Sequence, residues 1–200
     1  GHFSSMKDLA IRKSSCYANC LVALLAQDLS EMNGLLNPFQ NYNYPDLIKR
    51  HFWNEKYFYD DLSKQDYLAG DANVFPFALG IINDKEMLKS VIESIKEAGL
   101  DQPFPLKYTA DREKIKFIGE EMFLRNYESD SIWTHMGPLY IKIVGIVDKS
   151  LAKEYKLKYK EMIEKYGNYL EVFDGEGKPF STPFYYCDSG MLWAVNYLGL

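Results

Sequence analysis

Two stretches of this chain, "NVFPFALGII" (73–82) and "GPLYIKIVGIV" (137–147), are apolar on nearly every side, and each runs straight into an amphipathic segment. A helix that is apolar all round must be buried, whereas a helix with one charged face lies at the surface. In "DKEMLKSVIESIKEAGL" (84–100) Met87, Leu88, Val91, Ile92 and Ile95 recur at helical spacing, Asp84 is placed to cap and Gly99 to stop the helix. In "DKSLAKEYKLKYKEMIEKYGN" (148–168) Leu151, Tyr155, Tyr159, Met162 and Tyr166 share a face, with lysines outside. "SSCYANCLVALLAQDLSEM" (14–32) is a further helix capped by Ser14 or Ser15, and "YPDLIKRHFWN" (44–54) carries Pro45 in its first turn. "GMLWAVNYLGL" closes the chain with one more. The expected fold is therefore all-α, with about seven helices alternating between inner and outer positions.

Three long connections, 55–72, 101–131 and 169–189, interrupt this pattern. Loops of that length in a compact helical domain are functional or pack as structure of their own. A simple bundle has shorter loops and more uniformly amphipathic helices. The pattern predicts one domain over 1–200, a double-layered helical toroid or part of one.

Charge and motif content narrow the function. A net charge of −5 argues against nucleic acid as a partner, because that binding needs a basic footprint. No apolar run approaches the roughly 20 residues that span a bilayer, so no membrane partner is expected, and the N-terminus has no apolar leader segment. Cys16, Cys20 and Cys187 leave an odd thiol in a poor zinc spacing, which predicts reduced cysteines in the cytoplasm. Nucleotide-binding glycine loops, a GxSxG elbow and an HExxH helix are all missing, Asp60–Asp61 makes no DDxxD cluster, and no metal or cofactor is predicted. The 16 Tyr, 12 Phe and 3 Trp exceed what a core of this size needs, and such rings offer faces on which sugars stack.

Glu171 is the most informative carboxylate. It lies in the turn-rich "YGNYLEVFDGEGKPF" (166–180), between Tyr169, Leu170, Val172 and Phe173. Such a residue is either a solvated member of a short extended segment or a partly desolvated acid or base, which holds its proton closer to working pH. Asp188 in "YYCDSGML" is a second candidate base, or the cap of the last helix.

"HFWNEKYFYDDL" (51–62) followed by "GDANVFPFALGI" (70–81) resembles a recurring block of the six-hairpin glycosidases, the (α/α)6-barrel hydrolases that include trehalase, glucoamylase and processing-glucosidase families. "SIWTHMGPLYI" (131–141) resembles the Trp–x–Gly–Pro block that opens an inner helix, with two residues separating Thr134 from Gly137 and Tyr140 in place of a second Trp. "YLEVFDGEGKP" (169–179) and "YYCDSGMLWAVNYL" (185–198) resemble the general-base loop and the final inner helix. The resemblance runs in order along most of the chain. It implies the C-terminal half of a barrel, with Glu171 as general base of an inverting mechanism on an α-glucoside or related oligosaccharide.

In that family the acid is an Asp in a Gly–x–Asp–Phe/Asn–Ser run just upstream of the segment similar to "DLAIRKSSCYAN". Here His2 stands in its place, so the resemblance leaves Asp8, or a residue outside this chain, as the acid. Sugar-binding candidates are Trp133 and His135 as a stacking wall, Tyr17 at the rim, and Asp71 with Asn73 to grip vicinal hydroxyls. Asp71 is equally suited to cap its helix. Arg12 beside Lys13 would reach a hydroxyl or form a solvated pair. Half a barrel would leave the inner helices 73–82 and 137–147 open on one side. That predicts a homo-oligomer or association with an N-terminal half, and leaves a second reading: a non-catalytic half-toroid that binds sugar or completes a barrel.

Overall fold

A computed structural model describes residues 7–200. His2 falls outside the described residues. Seven α-helices follow in order: α1 (Cys16–Glu31), α2 (Tyr44–Phe52), α3 (Gly70–Ala78), α4 (Lys85–Glu97), α5 (Gly137–Val144), α6 (Lys149–Tyr166) and α7 (Ala194–Leu198). Regular structure among the described residues is thus mostly helical. Two small antiparallel pairs add to it: β1 (Ile132–Trp133) with β2 (Val172–Phe173), and β3 (Ser181–Thr182) with β4 (Tyr185–Tyr186).

The caps are local. Ser15 accepts from the Ala18 N–H, Asp84 from Glu86 and Met87, and Asp148 from Leu151. Gly99, at φ +66°, ends the turn after α4 in a conformation that suits glycine. Leu88, Val91, Ile92 and Ile95 of α4 and Tyr155 and Tyr159 of α6 are buried as their spacing requires.

The helices pack by one rule. α1 lies on α3, α3 on α5 and α5 on α7, while α2, α4 and α6 pack against α1, α3 and α5 in turn. Helix α3 begins three residues earlier than its apolar run and is buried from Gly70 to Phe77. Pro76 sits inside it and deprives the Ala72 carbonyl of its usual partner. The buried Cys16 thiol of α1 donates to that carbonyl at 3.7 Å, so the defect becomes an α1–α3 contact. α5 approaches α6 closely at Gly137, where a Cβ would meet the Tyr159 hydroxyl at 1.8 Å.

The segments α3 and α5 were expected to carry open faces; instead they are enclosed. Neighbouring helices cover them, and so does the segment 104–108, whose Phe104, Leu106 and Tyr108 are buried. Exposed apolar side chains at the two ends of the helix series include Leu25 on α1 with Met32, Leu35 and Leu36 beyond it, and Val195 and Leu198 on α7 with Met191 and Leu192 before it; others, such as Met122, Phe123, Phe184 and Tyr186, lie on the connections. Where a row of helices stops, its terminal members have no next neighbour.

Asn73 is a second correction. Its side chain is fully buried and fully engaged: Oδ1 accepts from the Phe58 N–H at 2.8 Å, and Nδ2 donates to the Phe58 and Ala69 carbonyls at 3.0 and 2.8 Å. It clamps the extended Phe58 segment to α3 and has no donor left for a sugar hydroxyl. Asn73→Ala should therefore lower unfolding free energy by about 2–4 kcal/mol, read by urea denaturation, because it strands buried backbone groups.

Candidate functional site

The N-terminal ends of α1, α3, α5 and α7 are connected in series by side chains. At the first two ends lies a buried cluster of four charges. Arg12 Nη1 is 2.8 Å from Asp60 and 3.1 Å from Asp71; Lys7 Nζ is 3.0 Å from Asp71 and 3.6 Å from Asp60. The Tyr67 hydroxyl donates to Asp60 at 2.5 Å. Burial alone would push the Asp60 carboxyl up, yet Lys7 and Arg12 hold it down to about 2. Arg12 is therefore no solvated partner of Lys13, which alone of the two faces solvent. Asp71 makes no cap bond to α3 and is committed to the two cations. Tyr17 is buried beside them, its ring edge-on to Phe75 at 4.6 Å.

An aromatic series continues from this cluster. Lys7 lies over the Tyr108 ring at 4.8 Å. Tyr108 neighbours Trp133 at 5.4 Å and His135 at 6.1 Å, and Trp193, at the start of α7, stands 4.8 Å from His135. The Trp133 indole is buried and donates to the Tyr127 carbonyl and the Ser131 hydroxyl, both at 2.9 Å. His135 is buried with neither ring nitrogen hydrogen-bonded, and burial drives its pKa down to about 3.

Glu171 immediately precedes β2. The β1–β2 pairing sets Trp133 opposite Val172, so Glu171 precedes the paired residues. Its own backbone is held at both ends: its N–H donates to the Asp188 carbonyl at 2.9 Å, and its carbonyl accepts from the Thr134 N–H at 3.1 Å. Leu170 and Val172 on either side are buried, while Glu171 is half-buried. The Tyr185 hydroxyl donates to Glu171 Oε2 at 2.6 Å. Asp188 is exposed and its carboxylate accepts only from the next residue's N–H, at 2.6 Å. It caps no helix, because Gly190 precedes the first turn there and α7 starts at Ala194.

Asp8 is exposed, on a segment that sequence reasoning left unplaced. The Tyr127 hydroxyl is pushed up to about 12, by burial first, with the charges of Glu171, Glu128 and Asp8 adding to the push. Glu128 is the residue sequence reasoning missed. It is buried and accepts from the N–H groups of Asp8 at 2.5 Å, Leu9 at 2.9 Å and Ala10 at 2.8 Å. A Glu between Tyr127 and Ser129 in "RNYESDSIW" was the signal available, a charge among residues that otherwise bury.

The structure ties the Asp8 segment to Glu128 and the Glu171 carboxylate, through Tyr185, to the adjoining Tyr127, and brings Arg12 to Asp71. It sets Trp133 and His135 in one wall and directs Asn73 away from any ligand. A separate apolar cleft of about 390 Å³ lies further along α1, lined by Ala23, Ala26, Phe39, Tyr42, Tyr44 and Ile81, and contains no acid–base pair. A scan against protein-family models finds no match for the chain, and a search of curated proteins finds no relative.

The His135 environment sets a pH dependence. A histidine whose folded pKa is depressed stabilises the fold above its ordinary value near 6.5, and that stability is lost as pH falls from there toward 3. His135→Phe should remove about 1.4 kcal/mol per pH unit from the slope of unfolding free energy between pH 6 and 4, measured by denaturant titration across that range.

Proposed function

We propose that this chain is a carbohydrate-active domain, an inverting glycoside hydrolase acting on an α-glucoside or related oligosaccharide. The observation that carries the reading is that one dipeptide, Tyr127–Glu128, links both carboxylate segments: Glu128 accepts from the Asp8 N–H, and the Tyr127 ring meets Tyr185, which donates to Glu171. Glycoside hydrolysis needs two carboxyl groups flanking the scissile bond. Glu171 is the base that activates water, its carboxylate oriented by Tyr185. Asp8, exposed to solvent, is the acid that protonates the leaving oxygen. Trp193, half-buried at the start of α7, supplies a stacking face, and the buried Trp133 and His135 pack against it.

The helix arrangement supports the same reading. A serial row α1–α3–α5–α7 backed by α2, α4 and α6 suits successive helical hairpins of a toroid. The resemblance in "SIWTHMGPLYI" and "YLEVFDGEGKP" places the candidate base in the corresponding loop. No helix of the described residues is long and apolar enough to cross a membrane. The free Cys16, Cys20 and Cys187 suit a cytoplasmic setting.

One observation favours the second reading, a half-toroid whose work is assembly with another chain or its own copy. The exposed Met191, Leu192, Val195 and Leu198 form an apolar end to the row, the kind of patch that marks an interface.

Glucose release from a panel of α- and β-linked disaccharides and short glucans separates the two. The hydrolase reading expects release from an α-linked substrate, lowered by about 100-fold or more in both Glu171→Gln and Asp8→Asn. No release from any substrate would count for the assembly role, and release unaffected by either substitution would overturn the assignment of Glu171 and Asp8.

A further inference from the structure

The two candidate carboxyl groups are on segments more than 160 residues apart, yet one dipeptide touches the surroundings of both. Glu128 accepts from three successive N–H groups, those of Asp8, Leu9 and Ala10. A buried carboxylate in such a nest of amides makes charge-assisted bonds and holds its partner segment firmly. The adjoining Tyr127 packs on the other side. Its ring meets Tyr185 at 5.3 Å, Phe180 at 5.3 Å and Trp133 at 4.7 Å, and its carbonyl accepts from the Trp133 indole. Tyr185 in turn donates to Glu171.

We propose that Tyr127 and Glu128 are positioning residues that set the separation of Asp8 and Glu171. Glu128 fixes the Asp8 backbone, and Tyr127 fixes Tyr185, which orients the Glu171 carboxylate. The catalytic part of this proposal rests on the hydrolase reading above. The fastening part does not.

The bonding pattern contains its own control. The N–H groups of residues 8–10 go to Glu128, whereas the next one, Ile11, donates to the Lys116 carbonyl at 2.7 Å. In the isosteric Glu128→Gln, hydrogen exchange followed by NMR on the full chain should speed up about tenfold or more at Asp8, Leu9 and Ala10. Ile11 should keep its protection. Equal acceleration at Ile11, or none at residues 8–10, overturns the fastening.

Kinetics test the positioning. Glu128→Gln and Tyr185→Phe, which keeps its ring but loses the bond to Glu171, should each lower kcat about tenfold or more with KM within about twofold. Glu128→Gln added to Asp8→Asn should cost no further activity, since both act through one group. Losses that multiply, or a rise in KM with kcat unchanged, overturn the positioning role. A wild-type chain that hydrolyses nothing, yet shows the selective exchange at residues 8–10, keeps the fastening and discards the hydrolase reading.

Discussion

Four buried charges hold the rim of this molecule together. Lys7 and Arg12 come from the segment before α1, Asp71 from the first turn of α3, and Asp60 from the connection that Asn73 clamps at Phe58. The cluster is neutral as a whole, which is the condition under which charges tolerate burial. Removing any one member leaves an uncompensated charge and costs about 3–5 kcal/mol. The arrangement therefore specifies one register: the segment before α1 can dock on α3 in only one way. Backbone pairing repeats the message, through Cys16 to the Asp60 carbonyl and Ile11 to that of Lys116.

Everything further along the rim builds on that docking. Lys7 rests on Tyr108, and Tyr108 starts the aromatic series that ends at Trp193. Glu171 is pinned through its backbone to Thr134 and to Asp188. Backbone bonds on both sides of a side chain hold it in one direction. The half-buried position of Glu171, between buried Leu170 and Val172, gives it both solvent access and a fixed direction.

Much of this was legible in the chain. Periodicity and capping chemistry located the helices, because those signals are local: Ser15, Asp84 and Gly99 do what their neighbours require. Glu171 between apolar neighbours was legible for the same reason. The partners of Asn73, Asp71 and Arg12 are far along the chain, so neither a sugar contact nor, for Asp71 and Arg12, a cap or a solvated pair describes them: Asn73 clamps Phe58, and the other two meet near Lys7. Polar residues at the mouth of a buried helix look alike in sequence whether they serve a ligand or a distant strand. Glu128 gave almost no signal, since its three partners are backbone amides about 120 residues away, and amides carry no side-chain signature. The enclosed faces of α3 and α5 were missed because the covering segment 104–108 has no periodicity of its own.

The functional account reduces to a claim about geometry: two carboxyl groups, Glu171 and Asp8, on opposite sides of a sugar with space between them for a water. Such spacing, roughly 6.5–9.5 Å, transfers the sugar to water in one displacement and inverts the anomeric centre, whereas a separation near 5 Å gives a covalent intermediate and retention. The first-formed anomer, followed by proton NMR as an α-glucoside is hydrolysed, tests this directly. The account predicts β-glucose appearing ahead of mutarotation. α-Glucose appearing first would contradict it.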